Sequence, residues 1–348
     1  MNIKTFKAVF QPILMMGLVF VMNSCFDKAK KANGEASKDM VVETSIYPSD
    51  VIPFMDKWKI LCGNGSRSEN LVGYQKKDFF YVENDGKTNW VVYKTPNSGV
   101  TSRTSSNTRT ELGEKAHWIP ETGRKLTGTL KVMHVSTTGD ATVSSSYSVV
   151  IGQIHSDEGH ENEPLKIFYK KFPGHQKGSV FWNYEINTEG DNSGRWDYST
   201  AVWGHDFSSV GESPTTYPEE PEDGIALGEE FSYEVNVFKG VMYLTFTGEG
   251  HETIKFTKSL VKSDFSKKSD IPQQIIEGYS SRRAVSVERD TAYAGELNYF
   301  KQGAYNQANG KSTKSETYDG DIAKQYTNGS YAEVWFRKAT IGKATTPN

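Results

Sequence analysis

Apolar and polar positions alternate with a period of two along most of the chain. Alternating or β-branched runs occur in "NWVVYKT" (89–95), "KLTGTLKVMHV" (125–135), "SYSVVIGQIH" (146–155) and "LKIFYKK" (165–171). They continue in "SVFWNYEIN" (179–187), "FSYEVNVFKGVMYLTF" (231–246) and "AEVWFRKATIG" (332–342). Gly, Asn, Asp and Pro separate these runs, and many short strands in series predict an all-β sandwich or jelly roll. Lys239-Gly240 predicts the turn of a hairpin. Helical signal is confined to "SDVIPFMDKWKI" near residue 50, enough for a turn or two. No repeat of 20–50 residues is present, and the Pro- and acid-rich "SPTTYPEEPEDG" (213–224) reads as a long surface loop.

Three segments carry polar groups where a half-buried strand would be apolar. In "NTRTELGEK", Arg109 and Glu111 share one face while Thr110 and Leu112 take the other. In "SVVIGQIH", Gln153 and His155 point together and Ile154 points away. In "GELNYFKQGAYNQ", strict alternation puts Tyr299, Lys301, Gly303, Tyr305 and Gln307 on one face, Gly303 leaving room between bulky neighbours. Same-face residues lie roughly 6.5–7 Å apart, about the reach of one sugar ring. As neighbours in a sheet, the three strands would line a concave groove suited to an anionic, hydroxyl-rich polymer. Singly each has a bland reading: an Arg-x-Glu is commonly a solvent-facing ion pair, a Gln-x-His a strand end at the surface.

Composition narrows the field. The 348 residues carry a net charge of −3, so there is no basic field for nucleic acid. Two cysteines, Cys25 and Cys62, exclude a disulfide framework and a multi-cysteine zinc site. The loop "HSDEGHENE" (155–163) gathers histidines and carboxylates but reads as solvated rather than metal-binding, and no metal or cofactor is expected. No Glu-x-Asp-x-x-Glu strand is present for hydrolysis by paired carboxylates.

The N-terminus has Lys4 and Lys7, an apolar run from about Ile13 to Met22, then Ser24 and Cys25. Too short to span a membrane, residues 1–25 read as a lipoprotein-type signal with Cys25 the lipidated residue. Residues 26–46 are polar and aperiodic, a tether. Residues 47–348 form the one folded domain. The expectation is an exported monomer, lipid-anchored to a bacterial outer membrane or secreted, with no other contact to the membrane.

The three polar blocks, in order, resemble the signatures of polysaccharide lyase family 7, the alginate lyases: R-[ST]-E-L-R, Q-[IV]-H and Y-F-K-A-G-x-Y-x-Q. Here they read Arg109-Thr110-Glu111-Leu112, Gln153-Ile154-His155 and Tyr299 to Gln307. The likeness runs from about residue 48 to 340 and implies a jelly roll of the concanavalin-like kind. Gly113 departs from the family's second arginine, removing a cation from the groove. Gln302 departs from its alanine, on the face opposite Lys301 and Tyr305. The resemblance implies β-elimination: Arg109 and Gln153 neutralise the uronate carboxylate, His155 takes the C5 proton, and Tyr305 protonates the departing O4. Lys301 and Glu111, with Tyr299, Gln307 and Asn183, are expected to bind substrate or orient those that do. Ile154, where the family has isoleucine or valine, implies guluronate-containing blocks. A non-catalytic polysaccharide-binding lipoprotein on the same fold, and a lyase for another polyuronate such as glucuronan, are the alternatives. Arg282 and Arg283 are candidate rim contacts, and the segments 156–164 and 209–224 are candidates for closing one end of the groove.

Overall fold

The structure is a computed structural model that describes residues 46–102, 105–157, 162–190, 194–280 and 284–347. Cys25, the signal and most of the tether, Arg282 and Arg283, and residues 158–161 lie outside the described residues.

Among the described residues, sixteen strands form two antiparallel sheets. In chain order they are β1 (Trp58–Leu61), β2 (Arg67–Ser68), β3 (Phe80–Asn84), β4 (Asn89–Pro96), β5 (Arg109–Glu114), β6 (Arg124–His134), β7 (Ser148–Ser156) and β8 (Leu165–Lys170). They continue with β9 (Lys177–Glu185), β10 (Asp197–Trp203), β11 (Ile225–Ala226), β12 (Glu230–Phe238), β13 (Val241–Gly248), β14 (Ile254–Ser259), β15 (Asn298–Asn306) and β16 (Tyr331–Gly342). One sheet runs β10-β9-β8-β7-β15-β5-β1-β2, with β11 on β9; the other runs β14-β13-β12-β6-β16-β4-β3. All seven alternating runs are strands. The hairpin turns at Lys239 (φ 51°) and Gly240 (φ 80°), both left-handed, as a two-residue turn matching the strand twist requires.

Alternation explains the core. Phe231, Tyr233, Val235 and Val237 of β12 and Met242, Leu244 and Phe246 of β13 face inward, against Val149, Ile151, Ile154, Leu112, Phe300 and Ala304 of the other sheet. Cys62 is buried in the same core, as a small hydrophobe. Two short helices were not expected from the sequence: α2 (Gln273–Ser280), which packs Ile275, Ile276 and Tyr279 on the core, and α3 (Ile322–Asn328), after a first helix, α1 (Pro48–Val51). Local capping defines α3: the Asp321 side chain accepts from the Lys324 amide, and Gly329 (φ 86°) ends it.

The strands bearing the polar blocks are neighbours, β7-β15-β5. Strict alternation does not hold along them. β7 bulges at Ile151–Gly152 against β8, and β15 gains a residue against β7 between Gln302 and Tyr305. Gly303 sits in that irregularity with φ 145°. A Cβ there would lie 2.6 Å from the Thr110 carbonyl oxygen and 2.9 Å from both Glu111 Cα and the Tyr93 ring. Gly303 is therefore required by the backbone of β5 and by the core, and not only for the room it leaves between bulky neighbours. Gly303→Ala is expected to lower stability by about 1–3 kcal/mol, measurable by denaturant unfolding. Gln302, by contrast, lies where the sequence placed it. Fully buried, its amide donates to Tyr233 Oη (2.7 Å) and the Thr127 carbonyl (3.2 Å), and Tyr233 donates to the Ile151 carbonyl (3.3 Å). That chain of hydrogen bonds fastens the bulge of β7 to the second sheet.

Candidate active site

Register puts the polar residues in rows across the sheet. One row reads Ser199, Asn183, Lys166, Gln153, Lys301, Gly113, Lys59, from β10 to β1. Another reads Phe181, Phe168, Val150, Tyr305, Arg109. His155 pairs with Tyr299 on the far side of the first row. Between the two rows, β7 turns Ile151 into the core and has only Gly152 beside it, while β15 has only Gly303. Those two strands thus leave a side-chain-free patch of floor, flanked by Gln153 and Lys301 on one side and Arg109 and Tyr305 on the other.

Glu111 organises this patch. Buried on β5, it accepts a short hydrogen bond from Gln153 Nε2 and lies 3.5 Å from Arg109 Nη1 and 3.7 Å from Lys301 Nζ. The Arg109 guanidinium in turn covers the Tyr305 ring at 3.8 Å, and the Tyr305 hydroxyl shares a hydrogen bond of 3.1 Å with Ser105 Oγ. Burial raises the Tyr305 phenol above its ordinary range, with Arg109 opposing, so it carries its proton at neutral pH. Three buried polar atoms on this face have no partner among the described residues: Arg109 Nε, Gln153 Oε1 and Asn183 Oδ1. Unpaired buried donors and acceptors are costly, so a polar ligand that met them would be bound favourably.

His155 Nδ1 lies 2.7 Å from the Ser156 carbonyl, which can only accept, so Nδ1 holds the proton and Nε2 keeps its lone pair. Burial, then the nearby Lys301 cation, push the imidazole down to about 4, with the Glu163 carboxylate, 3.7 Å from Nε2, opposing. An ordinary imidazole titrates near neutrality; the structure makes this one a weaker base that is uncharged at neutral pH. Its ring packs on Tyr299 (5.1 Å), which stacks on His117 (5.0 Å), itself 2.9 Å from Asp157.

The sequence reading missed several neighbours. Glu163 belongs to the segment taken as a solvated loop, yet it faces His155 and also lies 3.5 Å from Lys166. Lys166, with Asp197 at 3.2 Å and Glu185 at 3.8 Å, and Arg195, 2.9 Å from Glu185, complete a charged cluster beside Asn183, whose amide donates to Asp197 (3.3 Å). Apart from Glu163–Lys166, three residues apart, these contacts join different strands and loops and leave no signal in local spacing. Trp182 and Tyr184 turn inward, packing on Phe256 and donating to Glu288, respectively. Gln307 follows β15, and its amide donates to the Tyr305 carbonyl (3.3 Å), so it secures the strand end. No group of three metal-ligating side chains occurs among the described residues.

On the β8–β10 side the groove face is covered. Phe207 packs on Phe168 (5.5 Å) and Phe181 (6.0 Å), and its amide donates to Ser199 Oγ (3.0 Å). Lys170 Nζ, buried on β8, donates to the Ser209 (2.7 Å) and Ser144 (2.9 Å) carbonyls. These contacts strap residues 207–209 across the floor next to Tyr305.

The sequence model of the family described as alginate lyase matches residues 52–343. An alginate lyase of Klebsiella pneumoniae is 31% identical over 278 residues, 71% of this chain and 76% of that one. The crystal structure of the exolytic PL7 alginate lyase AlyA5 from Zobellia galactanivorans superposes with a TM-score of 0.86 at 71% identity, covering 87% of this chain and 99% of that one. The crystal structure of the Klebsiella pneumoniae enzyme shares the fold, with a TM-score of 0.62 at 24% identity, covering 86% of this chain and 99% of that one.

Proposed function

The chain belongs to the alginate lyases of polysaccharide lyase family 7, which cut β-1,4-linked uronate chains by β-elimination, and we propose that it prefers guluronate-containing blocks and cuts from a chain end. The observation that carries the site assignment is the convergence, on one groove face, of a neutral imidazole, a protonated phenol and the Arg109–Glu111–Gln153–Lys301 lattice.

The reaction sets three demands. The C5 proton is too weakly acidic while the adjacent carboxylate keeps its charge, so that group must be neutralised as the enolate-like transition state forms. Arg109, through its unpartnered Nε, and the second N–H of Gln153 supply charge-assisted and amide hydrogen bonds there. His155 Nε2 removes the proton, and the neutral Tyr305 hydroxyl protonates O4 as the C4–O bond breaks, leaving a C4–C5 double bond. In guluronate H5 and O4 lie on opposite faces, which suits a base and an acid on separate residues. His155 and Tyr305 stand on opposite sides of the Gln153–Lys301 row. Ile154, buried in the core behind that row, acts on preference only by setting its neighbours.

Chain-end cutting has two supports. The strap at 207–209 covers Phe168, Phe181 and Lys170 on the groove face of β8 and β9, which narrows the passage past Tyr305 on that side. The relative at 71% identity is described as exolytic. Poly-guluronate, poly-mannuronate and glucuronan, followed by the ultraviolet absorbance of the new double bond, test the substrate. The expected order is guluronate first, with monomeric or dimeric product present from the earliest time points. Long oligomers appearing first would overturn the chain-end reading, and no absorbance on either alginate block would overturn the substrate. The N-terminal pattern of Lys4, Lys7, the apolar run and Cys25 supports export with a lipid anchor at Cys25.

A further inference from the structure

Lys59 is an exposed cation on the groove face with no assigned role. Its neighbours on β1, Trp58 and Ile60, are 2% and 3% exposed in the sandwich core, so Lys59 faces the opposite side. It pairs with Gly113, which pairs with Lys301, in the row that holds Gln153. Its stem crosses the face of Gly113: a Cβ there would lie 3.6 Å from Lys59 Cε, 3.7 Å from Lys59 Cγ and 3.9 Å from Tyr299 Cε2.

Gly113 has no other evident reason to be glycine. Gly128, Gly152 and Gly303 each have atoms within 3.0 Å of a Cβ position, so their neighbours forbid a side chain, whereas Gly113 has only ordinary contacts and an unstrained φ. What its lack of a side chain does is give the lysine stem a bed. The charges along the row separate the three lysines. Lys166 lies within 4 Å of Glu163, Glu185 and Asp197, and Lys301 lies 3.7 Å from Glu111. Lys59 has no carboxylate within ion-pair distance among the described residues, and it stands two strands from Lys301, roughly 9–10 Å, about two sugar units along a polymer crossing the strands.

We propose that Lys59 binds the carboxylate of a uronate in a subsite beyond the reacting one, the open floor at Gly113 serving to lay its side chain into the groove. This restores, from the adjacent strand, the cation that Gly113 removes from β5. The inference rests on the site assigned above, and it acts on binding rather than on the chemical step.

The test is a kinetic and binding series. Lys59→Met, which keeps the stem and loses the charge, is expected to raise KM for guluronate oligomers roughly three- to tenfold, between an exposed ion pair and a buried charged hydrogen bond. Its kcat should be nearly unchanged, and the salt dependence of KM weaker. Lys59→Arg should retain the wild-type KM, and Gly113→Arg added to Lys59→Met should recover it, since a Cβ at residue 113 meets only ordinary contacts. Calorimetric binding of a saturated guluronate oligomer to the His155→Ala protein, with and without Lys59→Met, reads the contact without turnover. Wild-type protein inactive on alginate would defeat the underlying reading. Active wild type with unchanged KM, salt dependence and oligomer affinity in Lys59→Met would overturn this proposal alone. Lys59→Gln serves as a second neutral variant should the methionine disturb folding.

Discussion

Replacing His155 with alanine is expected to lower turnover on poly-guluronate by about two to four orders of magnitude, the usual worth of a positioned general base. The fold would survive, because the imidazole makes one hydrogen bond, to Ser156, and its ring packs at the groove rather than in the core. The loss on poly-mannuronate is expected to be smaller, because H5 and O4 there lie on one side and Tyr305 can serve both steps. The pH profile carries a second signature. Burial and then Lys301 hold the free imidazole down to about 4, so the base is already uncharged at neutral pH. The acidic limb of kcat/KM should therefore stay flat down from neutrality and fall only as the pH approaches about 4, where protonation removes the lone pair. The limb of kcat should lie higher, since a bound uronate carboxylate favours the imidazolium. Steady-state kinetics on both block types check this. A His155→Ala enzyme with full activity on poly-guluronate would remove His155 as the base.

The parts legible in the sequence were those governed by local period. Alternation in β12 and β13 and the Lys239-Gly240 turn are properties of a few consecutive residues, and they fixed strands and core together. The same parity brought Gln153 and His155, and Arg109 and Glu111, onto one face. It failed where register slips. The bulge at Ile151–Gly152 and the left-handed Gly303 arise from fitting three strands to each other and to Tyr93 and Tyr233 behind them, which no single segment encodes. Glu163, His117 and Lys59 reach the site from two loops and the neighbouring strand β1, so their roles depend on partners distant in the chain. Lys59 was hidden for a further reason. The sequence shows a missing arginine at Gly113, but only the pairing of β1 with β5 shows which side chain fills the space.

Glu111→Gln should have an effect of comparable size by another route. Glu111 lies 3.5 Å from Arg109 and 3.7 Å from Lys301 and accepts from the Gln153 amide, and its removal leaves two cations near each other without that charge between them. Breaking a buried ion pair by removing one partner costs about 3–5 kcal/mol, so the melting temperature should fall even though glutamine conserves the shape. The cations would also turn away from their places around the floor patch. A displacement near 1 Å of groups that must meet the carboxylate and O4 lowers kcat by about a hundredfold. The direction of KM separates this role from direct binding. Arg109 and Lys301, relieved of their internal anion, attract an anionic polymer more strongly, so KM should hold or fall while kcat drops. A rise in KM with kcat unchanged would instead make Glu111 a substrate contact and leave the orientation of Arg109 to other groups. Melting curves and steady-state kinetics on poly-guluronate, measured on the same preparation, separate these outcomes.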